Sequence, residues 1–176
     1  MLIQLRRSLV VVVFSILLFG LAYPLAVTGV AQLVFPHQAN GSLGPNGSAL
    51  IGQKWTGTKW FHGRPGAYNA MASGASNLGP LSKTLEAHVA KRAAAWRKVG
   101  VTPTEELVTS SASGLDPDIS PASAYVQIPM VAKARHLSPS VLHRLVASQV
   151  HGRQFGFLGA PYVNVLSLNQ ALARLH

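Results

Sequence analysis

Between Arg7 and Lys54 the chain carries no Lys, Arg, Asp or Glu, and within that zone lies an apolar run from Leu9 to about Phe35. From Leu9 to Leu21 only Ser15 and Gly20 depart from strongly apolar side chains. A bilayer core of about 30 Å takes roughly 20 apolar residues as a helix. In lipid the backbone must satisfy its own hydrogen bonds, which makes a helix the conformation for this stretch. Pro24 removes one N–H late in the run, so a kink or a looser last turn is expected there. The reading is a membrane span over residues 8–35, preceded by residues 1–7 and followed by a soluble domain over residues 36–176. A cleaved secretory signal is the competing reading; its apolar core runs about 7–15 residues, with small residues before the cut. Gly29-Val30-Ala31 would pass for such a cut, while the length of the run and the bulky Leu33-Val34-Phe35 favour retention.

Flanking charge gives the orientation. Arg6 and Arg7 sit on the short side, and the positive-inside rule places that end in the cytoplasm. The expectation is therefore a single-pass protein of the plasma (inner) membrane with an extracytoplasmic domain. That domain is itself basic, but long domains translocate largely regardless of charge. The formal charge is +10, from 15 Lys and Arg against 5 acids. Outside a membrane, such an excess suggests anionic headgroups or an acidic partner surface, although plain solubility accounts for it equally well. Nucleic acid is the usual partner of this balance, but a tethered external domain rarely meets it. The absence of Cys agrees with an oxidising compartment without demanding it.

Past the span, Pro36 to Ser42 reads as a turn at the lipid edge. Residues 48–53 and 59–62 are candidate strands of a small hairpin, with Trp55 to Thr58 as its turn. The stretch from Gly63 to Pro80, rich in Gly, Ser, Ala and Asn, is expected as a long loop, and loops of that length tend to be functional or disordered. Within it Arg64, near His62 and Tyr68, is suited to an anion or a partner backbone, though an ordered loop without a ligand explains the same residues. Ser82 caps a helix to about Lys98 with Leu85, Val89, Ala93 and Trp96 on one face. Thr102-Pro103-Thr104-Glu105 has the form of a capping box opening a short helix. Ser120-Pro121 and Ser138-Pro139 start two more helices, the first broken or kinked at Pro129 and the second reaching about Val150. Val163 to Val165 suits a strand, and Leu168 to Leu175 a last helix. The fold class is α+β: a single N-terminal transmembrane helix, then a helix-rich extracytoplasmic domain with a small β-sheet.

Motifs for chemistry are scarce. The 7 His show no pairing at metal-ligand spacing, and there is no Cys to complete a site. Neither phosphate-binding glycine loop occurs, and no G-x-S-x-G or S-x-x-K arrangement marks a nucleophile. Asp116 and Asp118 lie two apart on a turn and could share a cation, but the further oxygen ligands of a calcium loop are missing. Turn formation by Asp side chains is the simpler account. These residues describe a membrane-anchored accessory protein with no catalytic residues and no metal site.

An ordered set of short stretches resembles the C subunit of the Kdp potassium-importing P-type ATPase of prokaryotes. It runs from Gln38-Ala39-Asn40-Gly41-Ser42-Leu43 through 47–53, Phe61-His62-Gly63-Arg64-Pro65 and 72–78. It continues with 106–109, 111–116, Gln127-Ile128-Pro129, 131–135 and 163–165. Each piece alone is weak; in order, behind one span, they are specific. The resemblance implies a non-catalytic subunit of a four-part complex. Its partners would be a channel-like potassium-translocating subunit, a P-type ATP-hydrolysing subunit and a small single-span subunit. ATP and potassium would belong to the complex, with no cofactor bound by this chain alone. The family is associated with assembly and stability, and is described as a catalytic chaperone raising the ATP affinity of the hydrolysing subunit. Residues that the motifs allow to contact nucleotide or partner are Gln127, His62 and Arg64. An outward domain sits uneasily with cytoplasmic ATP. The alternative class is a stand-alone membrane-anchored envelope enzyme or ligand-binding protein.

Overall fold

A computed structural model describes residues 1–175 and divides into two compact units, one ending at Ser48 and one beginning at Ala49. The first unit is dominated by a continuous helix, Leu2–Val34, of 33 residues. At about 1.5 Å per residue it is longer than a bilayer core is thick, and none of its side chains is buried. It is built of α1 (Leu2–Leu17), a π-helical turn (Leu18–Ala22) and α2 (Tyr23–Val34). The π turn is the form that the Pro24 irregularity takes. Proline cannot donate and its ring crowds the carbonyl four residues back; widening the preceding turn relieves both without breaking the helix. Phe35 leaves helical geometry before Pro36, as residues preceding proline tend to.

A single turn, α3 (Pro36–Ala39), follows, then a two-stranded hairpin of β1 (Leu43–Gly44) and β2 (Gly47–Ser48). Asn40 Nδ2 donates to Gln32 Oε1 at 3.0 Å and to the Pro36 carbonyl at 2.6 Å, folding the turn back on the helix end. The hairpin expected over residues 48–62 does not form. Its second half, Lys59 to His62, runs without a strand partner: buried side-chain amides take the backbone hydrogen bonds of Phe61 and His62, and Arg135 Nε donates to the Lys59 carbonyl.

The second unit packs short helices around a small sheet. The long loop from Gly63 is as expected and contains one 3₁₀ turn, Ala70–Ala72. Helix α4 (Lys83–Lys98) starts at Ser82, whose Oγ accepts from the Leu85 N–H at 3.4 Å. Its apolar stripe is only half-buried. The box at Thr102 does not cap: the turn it precedes is a 3₁₀ helix, Glu105–Leu107, whose N-cap position is Thr104 with no side-chain capping bond. Thr104 Oγ1 is instead bonded to Ser123 Oγ at 2.6 Å. Strand β3 (Asp118–Ile119) leads to α5 (Pro121–Tyr125), and the break expected near Pro129 separates it from α6 (Ile128–Arg135). Helix α7 (Pro139–Ser148) stops before Val150, which joins β4 (Val150–His151). The last strand, β5 (Tyr162–Asn164), runs directly into α8 (Val165–Ala173), so Val165 is helical and not extended. Asn164 causes that early start by accepting the Ser167 N–H at 3.1 Å as an N-cap.

The sheet order is β3-β5-β4, all antiparallel, with Val163 opposite both Ile119 and Val150. Val163 is fully buried and meets Phe61, Ala124, Ile128, Val131, Leu142, Val146, Leu168 and Leu172 in one core. Full burial of each such side chain contributes about 1.5–3 kcal/mol. Every member of that core comes from residues beyond Phe61 or from Phe61 itself.

Candidate functional site

Two buried amides fix the segment that opens the site. Asn169, on α8, accepts the Phe61 N–H at 2.9 Å and donates to the Phe61 carbonyl at 2.8 Å. Gln127, at the α5–α6 junction, accepts the His62 N–H at 2.8 Å and donates to the carbonyls of His62 at 3.0 Å and Ser123 at 2.9 Å. Both amides are fully buried. They do for this segment what a neighbouring strand would do, holding its backbone donors and acceptors without a ladder.

Thus held, the chain turns outward at Gly63 and forms one wall of a cleft of about 620 Å³. Trp55, His62, Tyr68 and Trp96 supply aromatic walls; Lys54, Arg64 and Arg92 supply charge; no Asp or Glu is among the lining residues. On the opposite wall α4 docks by hydrogen bonds: Arg92 Nη1 donates to the Val108 carbonyl at 2.9 Å and Trp96 Nε1 to that of Leu107 at 3.1 Å. His62 meets Trp96 edge-on, ring centres 5.5 Å apart. The floor depends on close backbone approach. A Cβ on Gly66 would come within 2.3 Å of the Gly114 carbonyl oxygen, so only glycine fits there.

Arg64 joins the cleft to the turn at residues 110–116. Its Nη1 lies 3.6 Å from Asp116 Oδ2, its Nη2 donates to the Ser110 carbonyl at 3.2 Å, and its own carbonyl accepts from the Tyr68 hydroxyl. Burial, then the Asp116 carboxylate, pushes the Tyr68 phenol above 10.0. Burial holds the His62 imidazole below its ordinary 6.5, although the Gly57 and Trp55 carbonyls pull the other way. With Nε2 against the Gly57 carbonyl at 2.8 Å, a neutral ring donating from Nε2 is the form that fits.

Behind this wall lies a network that sequence reading did not single out. Glu106 Oε2 accepts from the Ser120 N–H at 2.9 Å and from the Ser123 hydroxyl at 2.7 Å. Burial would raise this carboxyl, but those hydrogen bonds and the Arg64 charge prevail and hold it below 4.5. Asp116 and Asp118 have separate partners. Asp116 Oδ1 accepts the Asp118 N–H at 3.1 Å, and Asp118 Oδ1 accepts from Asn164 Nδ2 at 2.9 Å. Burial is the main reason the Asp118 carboxyl titrates above 3.8. Among the described residues no cluster of three or more His, Cys, Asp or Glu could hold a metal ion.

Of the residues chosen from sequence, His62 and Arg64 line the cleft and Gln127 stands behind it, positioning His62 and touching no solvent. Arg92 and Trp96 were missed as site residues; their spacing of four on one helix face was the available signal. Chemically, aromatic walls with three cations suit an anionic group with a flat or apolar body. His62, Arg64, Tyr68, Arg92 and Trp96 are themselves engaged in holding backbone, while Arg64 Nε is buried without a hydrogen-bond partner among the described residues.

Comparison with known proteins adds the family. The family model for K+-transporting ATPase, c chain, matches residues 5–174. A potassium-transporting ATPase KdpC subunit of Acidobacterium capsulatum is 50% identical, over 98% of this chain and 99% of that protein. That of Methylobacterium nodulans is 48% identical over 99% and 98%, and that of Burkholderia cenocepacia 52% over 92% of each.

Proposed function

The chain belongs to the KdpC family of K+-transporting ATPase c chains, and we propose that it serves such a complex as a non-catalytic subunit supporting assembly and stability. The observation that carries this reading is the division of labour in the chain: one apolar helix with no buried residue, and a separately cored domain in which His62, Arg92 and Trp96 of the cleft fix backbone. Its partners are a channel-like potassium-translocating subunit, a P-type ATP-hydrolysing subunit and a small single-span subunit, with lipid around the span. Potassium and ATP are bound at the level of the complex.

Arg6 and Arg7 ahead of the apolar run support a cytoplasmic N-terminus and an extracytoplasmic domain. On that topology the domain raises ATP affinity by biasing the conformations of the membrane subunits and not by touching nucleotide. Such coupling between sites is worth typically 1–3 kcal/mol. The test is co-purification in mild detergent from cells expressing the whole transporter, followed by ATPase assays with and without this chain. The expected result is a complex with larger membrane proteins whose half-saturating ATP concentration rises about 5- to 150-fold when this chain is left out. A chain that purifies alone and turns over a substrate unaided is the stand-alone envelope enzyme instead.

A further inference from the structure

The hairpin that joins β4 to β5 ends in an exposed apolar tip, Gln154-Phe155-Gly156-Phe157-Leu158. Phe155 is 87% exposed and Phe157 70%. Elsewhere in the second unit Met71 and Leu81 stand singly, which is ordinary for a protein surface, and the adjacent exposed pair Leu50 and Ile51 carries no ring. This tip concentrates two rings and a Leu within four residues.

The tip is also pre-organised. Above the paired strands His151 stacks on Tyr162 with ring centres 4.9 Å apart. Beyond that rung, Gln154 and Leu158 exchange backbone hydrogen bonds at 3.0 and 2.9 Å, and the N–H groups of Gly156 and Phe157 bond the carbonyls of Arg153 and Gln154. Phe155 sits at φ 51, a conformation that costs a bulky residue. A hairpin closed this tightly presents its rings with little entropy left to lose on binding.

Charge and composition select the occupant. From Ile119 to Leu175 there is no Asp or Glu, and Arg153, whose carbonyl accepts the Gly156 N–H, is the cation at the tip. A lipid surface is recognised by clusters of about 4–8 Lys or Arg and by Trp and Tyr at the headgroup level. Here Arg153 is the sole Lys or Arg between Val150 and Ala173, and the tip rings are Phe. Phe beside Arg, held rigid, is the composition of a protein interface anchor. The geometry points to the Phe155–Leu158 tip as a docking plug that enters an apolar pocket on another subunit of the transport complex, with an acidic group of that subunit facing Arg153. This rests on the subunit reading above and adds the surface that makes the contact.

The test places a photoreactive benzoylphenylalanine at Phe157 in the full-length chain within the native membrane, with His88 on α4 as the control position. The expected result is a covalent adduct with another protein subunit from position 157 and none from 88. In parallel, Phe155→Ala/Phe157→Ala should lower recovery of this chain with the complex by about tenfold after a detergent wash, as loss of an interface hot spot does. Both rings are exposed, so the double variant should melt at the wild-type temperature, which separates lost docking from lost folding. Adducts with lipid or with a second copy of this chain, no adduct, or full recovery of the double variant overturns the proposal. A wild-type chain that purifies alone overturns the subunit reading and this one together; a wild type that co-purifies while position 157 labels no subunit overturns the plug only.

Discussion

Gln127 touches no solvent and no cleft, yet the position of His62 depends on it. Replacing it with Leu keeps the bulk and removes three hydrogen bonds, leaving the His62 N–H and carbonyl and the Ser123 carbonyl without their partner. Each orphaned buried group costs about 1–3 kcal/mol, so Gln127→Leu should destabilise the folded domain by roughly 3 kcal/mol in urea melts; a loss below about 1 kcal/mol would mean the segment holds itself. Glu106 carries a different signature. Folding lowers its carboxyl below 4.5, so near that pH the unfolded chain binds more protons. Its contribution to stability is complete above 4.5 and is lost as pH falls through the lower folded value. His62, depressed below 6.5, likewise favours folding fully above that pH and progressively less beneath it. Melting temperature measured from neutral to acid pH should fall in two stages. The more acid one is partly offset by Asp118, whose raised carboxyl binds protons more readily in the folded state. Glu106→Gln should flatten that stage further while lowering the plateau. At this scale motif alone singled out His62 and Arg64, and both line the cleft, but no local pattern reveals that Gln127 holds backbone 65 residues away in sequence. Asn169, 108 residues from Phe61, was invisible for the same reason.

Elements governed by local chemistry were readable and those governed by distant partners were not. Ser82, Ser120 and Ser138 each cap the helix that follows by accepting a backbone N–H, and a side chain three residues from its partner needs nothing beyond local sequence. Pro24 announced its irregularity, though not that a π turn would absorb it. By contrast Lys59 to His62 has the composition of a strand, and only the arrival of two amides from elsewhere removes its need for a ladder. Thr102 fails as a cap because Ser123 claims Thr104 and fixes the turn two residues later. The long glycine-rich loop belongs to the same group. It is ordered by Gly66 lying under the Gly114 carbonyl and by the Gly74 N–H donating to the Ser113 carbonyl at 2.9 Å. A methyl at Gly66 cannot be accommodated against backbone, so Gly66→Ala should lift the loop from the 110–116 turn. Limited proteolysis should then cut between Gly63 and Pro80 at least tenfold faster, since cleavage follows the population of open loop, while the melting temperature moves much less. Equal cleavage rates would show that the loop is held elsewhere.

For the whole molecule the question is whether the span is part of the folded body or a tether. The core of the second unit closes between Phe61 and Leu172 with no residue from the first, and the span buries none of its own side chains. A helix that contributes nothing to a core contributes nothing to the free energy of closing it, whatever it contributes to place. In lipid, helix pairing depends on close packing at small residues and not on a hydrophobic drive; Gly20, Ala22, Ala26, Gly29 and Ala31 are the Gly and Ala residues of this span. Tethering and partner choice are therefore separable from folding, and exchanging residues 1–34 for an unrelated single span with the same two leading arginines should separate them. The domain should keep its melting temperature within about 2 °C, because for a body of this size 1 kcal/mol moves the transition by roughly 2–8 °C. It should also remain membrane-bound, since length and apolarity alone decide insertion. Recovery with the transport complex should fall only in part, as the domain retains the proposed Phe155–Leu158 plug. A melting temperature lowered by more than about 8 °C would show that the two units share a core after all, and the division of the chain into tether and effector would have to be abandoned.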